Sequence, residues 1–284
     1  MKFDCVVLGS GPAGITAAIY LKRSNNNVVI ISNNESNLLK AEQIDNYYGF
    51  PNGISGEKLF NDGILQAKNL GIEVIEDEVL NISYNEDYLV ECKKNNFLCN
   101  AVILATGNKK KTPKIEGIYD YEGKGISYCA ICDSFFYRKK IVGVLGSGDY
   151  AIHEANVLKN VTNNITIYTN GEKINTKDCE INVCEKKITA IRGNERVEEL
   201  VFSDGTKDNI DGLFIALGSA GTSDLALKLG VITENNKVVV NERMETNIKG
   251  IYCCGDATGG LLQISKAVYE GTVAGLEVNK FLKK

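Results

Sequence analysis

The chain has no tryptophan, one histidine, two methionines and three prolines among its 284 residues. The lone imidazole, His153, leaves too few nitrogen ligands for a histidine-rich metal site. No apolar run reaches the roughly 18 residues of a membrane span. The opening MKFDCVVLGSGPAG runs straight into a folded-looking motif without a charged leader, apolar stretch and cleavage site. A cytoplasmic protein that stays off membranes is expected. The net charge of -4 is too mild to call for nucleic acid or an anionic lipid surface.

What is present describes a soluble α/β chain rich in tight turns, with 44% hydrophobic residues, 24% charged residues and 28 glycines. The length suits two domains of roughly 100 to 150 residues. In a reducing compartment most of the nine cysteines would be thiols, so a close pair among them signals catalysis or metal binding.

Phe3 to Leu8 reads as a buried strand, Gly9 to Gly14 as a tight turn, Pro12 to Arg23 as a helix and Val28 to Ile31 as a parallel strand. A strand and glycine turn recur from Ile141 to Gly148, followed by a helix from about Tyr150 to Lys159 and a strand at Ile165 to Tyr168. The fold class is therefore α/β with two Rossmann-like, FAD/NAD(P)-binding-type domains, the second inserted in the first. After Met244 a strand (Gly250 to Cys253), a turn at Gly255-Asp256-Ala257 and a small-residue helix to Leu282 lack a glycine turn of their own and are expected to complete the first domain. The expected boundaries are 1-112 with 244-284, and 113-243.

Gly9-x-Gly11-x-x-Gly14 follows a strand and opens a helix, the context in which glycines permit a tight turn, close approach of a pyrophosphate and close helix packing. The acid that usually holds ribose hydroxyls at the end of the second strand is replaced by Ser32-Asn33-Asn34, so the ribose must be held another way. Cys129-Ala130-Ile131-Cys132 is followed by Asp133. Two cysteines at this spacing can close a small disulfide ring, and a carboxylate beside them can shuttle a thiol proton, although the spacing alone is ambiguous. Half a zinc site is the rival reading, disfavoured because no second Cys-x-x-Cys exists to complete four ligands. No metal site is expected.

The order and spacing of Gly9 to Gly14, Asn46-Tyr47-Tyr48-Gly49-Phe50, Ala105-Thr106-Gly107, Ser127 to Asp133, Gly146 to Ala151 and Gly255-Asp256-Ala257 resemble the low-molecular-weight thioredoxin reductases of bacteria. The resemblance spans nearly the whole chain. It implies an FAD flavoprotein, a homodimer, thioredoxin as partner, and Cys129, Cys132 and Asp133 as catalytic residues. Cys132 would lie nearer the flavin, Cys129 would attack thioredoxin and Asp133 would serve as acid/base. FAD would be held by Gly9, Gly11, Pro12, Ala13, Gly14, Asn46, Ala105, Thr106, Gly107, Gly255, Asp256, Gln263 and Ile264. The tail has no histidine of the kind that larger, glutathione reductase-like relatives use as base, and His153 reads as an ordinary helix residue.

The chain departs from the family where NADPH-using members carry a His-Arg-Arg clamp. After Ile165 to Tyr168 stand Thr169-Asn170-Gly171-Glu172-Lys173, and bulky Tyr150 replaces a small serine. In these departures, in Leu38 to Glu42 and in Gly259 to Gln263, the chain resembles the clostridial flavin-dependent branch that takes electrons from ferredoxin. Ferredoxin is therefore the expected donor. A fall from about -400 mV to about -270 mV releases about 6 kcal/mol for two electrons. Lys109, Lys110, Lys111, Lys114, Arg138, Lys139 and Lys140 form the densest basic clusters, a candidate docking surface for an acidic ferredoxin. The alternatives are an NAD(P)H-dependent thioredoxin reductase with an atypical clamp, a ferredoxin-NADP reductase that would leave the cysteine pair unexplained, and a redox-sensing or metal-binding dinucleotide module. The other seven cysteines are expected to be structural, Cys179 and Cys184 included.

Overall fold

The computed structural model describes residues 2–107, 113–174, 181–218 and 221–284. Lys109, Lys110, Lys111 and Cys179 lie outside this set. Two compact units form: Met1–Lys109 with Gly221–Lys284, and Lys110–Ala220 between them.

The first unit opens with β1 (Lys2–Leu8), α1 (Pro12–Arg23), β2 (Val28–Ser32), α2 (Gly56–Asn69), β3 (Glu73–Glu76), β4 (Val79–Asn85), β5 (Asp87–Cys92) and β6 (Asn96–Leu104). The inserted unit holds β7 (Ile126–Ser127), α3 (Ala130–Asp133), β8 (Val142–Leu145), α4 (Asp149–Leu158), β9 (Ile165–Tyr168), β10 (Asn182–Cys184), β11 (Ile188–Gly193), β12 (Val197–Phe202), β13 (Lys207–Asn209) and β14 (Gly212–Ile215). The chain then re-enters the first unit with α5 (Thr222–Lys228), the small hairpin β15 (Thr233–Glu234) and β16 (Lys237–Val238), β17 (Ile251–Cys253) and α6 (Ile264–Leu282).

The first sheet runs β3-β2-β1-β6-β5-β4, with β17 also pairing β6. Its centre is fully buried and uniformly apolar, as parallel strands covered on both faces must be. The long strand β6 divides its pairing. Asn96 to Cys99 pair with antiparallel β5, whereas Val102 to Leu104 pair with parallel β17. Strands β2 and β6 leave β1 on opposite sides, so the carboxyl ends of β1 and β6 form the switch-point crevice where ligands bind in open α/β sheets. The inserted unit has a parallel sheet β10-β9-β8-β14-β7 and an antiparallel sheet β11-β12-β13.

The return differs from the sequence reading, which placed it at 244. The chain rejoins the first unit at Gly221. Helix α5 is tied there by Thr222 Oγ1, 2.5 Å from Thr106 Oγ1, and by Lys228 Nζ, which donates to the Leu80 carbonyl at 3.1 Å. These partners lie more than a hundred residues away, beyond the reach of local patterning. Among the described residues no helix is long and apolar enough to cross a membrane.

Candidate active site

The redox pair sits on the one-turn helix α3. Cys129 and Cys132 are joined in a disulfide with their Cα atoms 5.3 Å apart. Cys129 is the N-cap, and its sulfur accepts the Cys132 backbone N–H at 3.2 Å. Cys129 is only 4% exposed, whereas Cys132 is exposed. Buried Ser127 connects Asp133, the expected acid/base, to this turn. Its hydroxyl donates to Asp133 Oδ2 at 2.6 Å and accepts from the Cys129 N–H at 3.1 Å. A carboxylate is thus coupled to the Cys129 backbone through one hydroxyl. From α4, buried Glu154 accepts the Ala130 N–H at 3.0 Å and occupies the positive end of the turn. Ser127 and Glu154 were missed from sequence. The only signal for Glu154 was an acid between Ala151 and Ala155 on the buried face of a helix. His153, beside it, is half-buried on α4.

Of the expected cofactor residues, Gly9 to Gly14 follow the carboxyl end of β1 and Ala105 to Gly107 that of β6. Gly9 has φ +106°, and a Cβ there would lie 2.4 Å from the Ala105 carbonyl oxygen and 3.0 Å from Thr106 Cα. A Cβ at Gly14 would meet the Gly9 carbonyl at 2.0 Å. Gly11 is different, since a Cβ there meets nothing within 4 Å. Two of the three glycines are therefore required by packing, and the middle one opens onto space. Beside it runs a cleft whose lining includes Ser10, Gly11, Pro12, Tyr47 and Ile264. Gly11 caps α1 without a side chain, so its first-turn N–H groups are available to an anion. Gly107, at φ +72°, is equally open.

Ala13 joins this turn to the second one, because a Cβ on Gly255 would come within 2.9 Å of its methyl. Asn46 Nδ2 donates to Gln263 Oε1 at 3.1 Å, joining two expected cofactor residues 217 positions apart. Asp256 follows Gly255 in a short 3₁₀ turn. The missing ribose acid has a neighbour in register: Ser32 pairs with Glu76 of β3, whose carboxylate accepts Asn34 Nδ2 at 2.8 Å. Ser32 Oγ also lies 2.7 Å from Ser10 Oγ, linking the strand end to the glycine turn. The open glycines, uncapped helix and cleft fit a dinucleotide.

An ion pair between half-buried Lys266 and buried Glu270, which the sequence reading passed over, holds the second turn. Glu270 Oε2 accepts the Gly255 N–H at 2.8 Å and the Thr258 hydroxyl at 2.9 Å. Lys266 Nζ lies 3.1 Å from that carboxylate and donates to the carbonyls of Gly255 and Gly259 at 2.9 and 2.5 Å. The i,i+4 spacing of opposite charges on a helix of small residues was the available signal. Removing one partner strands a charge, so Lys266→Met is expected to lower stability by about 3 kcal/mol. Chemical denaturation of the apoprotein checks this, and the loss should shrink when Glu270→Leu is added.

Among the described residues no cluster of three or more His, Cys, Asp and Glu could hold a metal ion. Burial pushes the Cys92 and Cys99 thiols up to about 12, and raises Cys5, Cys253 and Cys254 as well. These behave as small apolar residues, not nucleophiles.

The pyridine nucleotide-disulphide oxidoreductase family matches residues 3–271. The thioredoxin reductase of Aquifex aeolicus is 31% identical over 99% of this chain and 93% of its own length. The crystal structure of the atypical thioredoxin reductase TRi from Desulfovibrio vulgaris Hildenborough has a TM-score of 0.94 at 34% identity, covering 99% of this chain and 98% of that one. A ferredoxin-flavin thioredoxin reductase from Clostridium acetobutylicum gives 0.74 at 31% identity, with 99% and 98% covered. Taken with the disulfide on its one-turn helix and the dinucleotide crevice, these matches show that the chain belongs to the pyridine nucleotide-disulphide oxidoreductase family, among the thioredoxin reductases, and is a flavin-dependent disulfide oxidoreductase.

Proposed function

We propose that this enzyme reduces thioredoxin with electrons from reduced ferredoxin, using FAD and the Cys129–Cys132 disulfide, as a cytoplasmic homodimer. FAD, when bound, supplies a centre that accepts electrons one at a time and passes them on as a pair. Gly11 and the α1 N-terminus hold its pyrophosphate, and Asn46, Asp256 and Gln263 orient the rest. Two electrons and two protons convert the enzyme disulfide to two thiols. Cys129, as thiolate, then attacks the thioredoxin disulfide, and Cys132 resolves the mixed disulfide, which restores the enzyme disulfide and releases a dithiol. Asp133, reached through Ser127, takes and returns the proton. Because Cys129 is buried and Cys132 exposed in this conformation, Cys129 must be uncovered before it attacks.

The observation that carries the donor assignment is the turn after β9. Thr169, Asn170 and Gly171 are uncharged, and their groups are spent on the fold: the Asn170 side chain accepts the Ile188 N–H at 2.8 Å, and the Thr169 hydroxyl donates to the Glu172 carbonyl. A 2′-phosphate finds no arginine fork, losing charge-assisted hydrogen bonds of roughly 1.5 to 3 kcal/mol each. Two such losses weaken binding on the order of a hundredfold or more. The C. acetobutylicum neighbour is itself named for ferredoxin. Of the candidate docking cations, Lys114, Arg138 and Lys139 are exposed, and Arg138 lies 4.6 Å over the Phe135 ring.

Anaerobic titration tests this reading. Reduced ferredoxin is expected to bleach the bound flavin rapidly and to sustain thioredoxin reduction, while micromolar NADPH or NADH leaves the protein yellow. Rapid bleaching by NADPH overturns the donor assignment. A protein that purifies colourless and cannot take up FAD overturns the cofactor.

A further inference from the structure

The glycine turn of the inserted unit holds an exposed carboxylate, that of Glu172, on its middle residue. Gly146 to Gly148 link β8 to α4, and the α4 N-cap, Gly148, offers no side-chain partner to the first-turn N–H groups. Such a terminus attracts anions. Here the Ser147 hydroxyl, between the two glycines, donates a hydrogen bond to Glu172 Oε2.

The backbone directs Glu172 to this place. Gly146 N–H donates to the Tyr168 carbonyl at 3.0 Å, so the glycine turn and the end of β9 lie side by side. Thr169 is buried, and its N–H donates to the Cys184 carbonyl at 3.0 Å. Glu172 N–H closes back on the Thr169 carbonyl at 3.2 Å. Asn170 and Gly171, at φ +55° and +91°, make the reversal. The residues that replace the cationic clamp thus build a turn that presents an anion.

Gly146 has a structural reason of its own, whereas a Cβ at Gly148 would make only an ordinary contact, 3.6 Å from the Gly218 carbonyl oxygen. A Cβ at Gly146 would lie 2.1 Å from the Ala216 carbonyl and 2.9 Å from the Ala151 methyl. Tyr150, beside them, is almost wholly buried. Retention of Gly146 therefore needs no nucleotide.

We propose that Glu172, tied to Ser147 and aimed by the Thr169–Asn170–Gly171 turn, closes this glycine turn to nucleotide diphosphates and is the residue by which the enzyme rejects pyridine nucleotides. This rests on the donor reading above and goes further. Loss of arginines only removes attraction, whereas Glu172 adds repulsion, which rejects a competitor more sharply. A His-Arg-Arg graft at Thr169 to Gly171 would delete the Thr169 hydroxyl bond and force two arginines into left-handed backbone, so it fails to restore NADPH use.

The test uses the holoenzyme variants Glu172→Ser and Glu172→Gln, with ADP and NADH as calorimetric probes. Wild type should bind neither at micromolar concentration. Glu172→Ser should bind ADP at least about tenfold more tightly than wild type, and Glu172→Gln, which removes the charge but keeps a polar side chain on Ser147, should gain less. Thioredoxin reduction driven by dithionite should stay at the wild-type rate in both. If neither variant binds ADP more tightly than wild type, the proposal is overturned and the ferredoxin reading stands. If wild type binds NADH or NADPH tightly and its flavin is reduced by it, both fall.

Discussion

Cys129→Ser and Cys132→Ser should each lower thioredoxin reduction by at least about a thousandfold, because a single thiol can neither store the electron pair as a dithiol nor resolve a mixed disulfide. Both should keep their flavin, since neither cysteine belongs to the first unit. The variants separate in what they trap. If Cys129 is the attacking thiol, Cys132→Ser accumulates a covalent complex with thioredoxin on a non-reducing gel, and Cys129→Ser does not. The burial pattern makes this a demanding test, because Cys132 is the exposed sulfur in this conformation. Trapping by Cys129→Ser instead would exchange the two roles. Undiminished activity in both variants would remove the disulfide from the mechanism.

Gly11→Ala and Gly271→Val should separate cofactor space from packing space. At Gly11, with φ -73°, alanine meets no strain and a Cβ touches nothing within 4 Å. The apoprotein should unfold at the wild-type denaturant concentration. Flavin affinity should fall at least about tenfold, because the methyl occupies the room through which a pyrophosphate approaches the backbone. Gly271, on α6, has no such room. A Cβ there would lie 2.2 Å from the Ala13 carbonyl oxygen and 3.0 Å from its Cα, so valine must push α6 off α1. Overpacking against backbone, with no flexible side chain to yield, should lower stability by about 3 kcal/mol and release the flavin with it. A destabilised Gly11→Ala apoprotein, or a Gly271→Val protein of wild-type stability, would contradict the division.

Much of the site was legible because it is local. A strand, glycines at fixed spacing and a helix announce a dinucleotide turn within about 30 residues, and both such turns lie where the sequence placed them. The cysteine pair needed its spacing and the lack of a second Cys-x-x-Cys in the chain. The helix Pro12–Arg23 and the strand Ile165–Tyr168 match their expected limits, since buried apolar runs bounded by turns are strong local signals. The return at Gly221 was not legible. The segment 221–243 is assigned by contacts such as Thr222 to Thr106, and the asparagine-containing stretch near 241–247 is an ordinary loop inside the first unit.

The sequence by itself determined the chemistry available: a closable thiol pair beside Asp133, an open dinucleotide turn at Gly11, and a strand end without the arginine clamp after Tyr168. These depend on residue identity and short spacing, which covalent geometry carries directly into structure. Only the tertiary structure decided which charges act on that chemistry. Glu154 reaches Ala130 from 24 residues away, Glu270 reaches Gly255 from 15, and Glu172 reaches Ser147 from 25. Each is a carboxylate brought to a backbone turn by the packing of a different element. Its partner is set by burial and sheet order, which no local periodicity records.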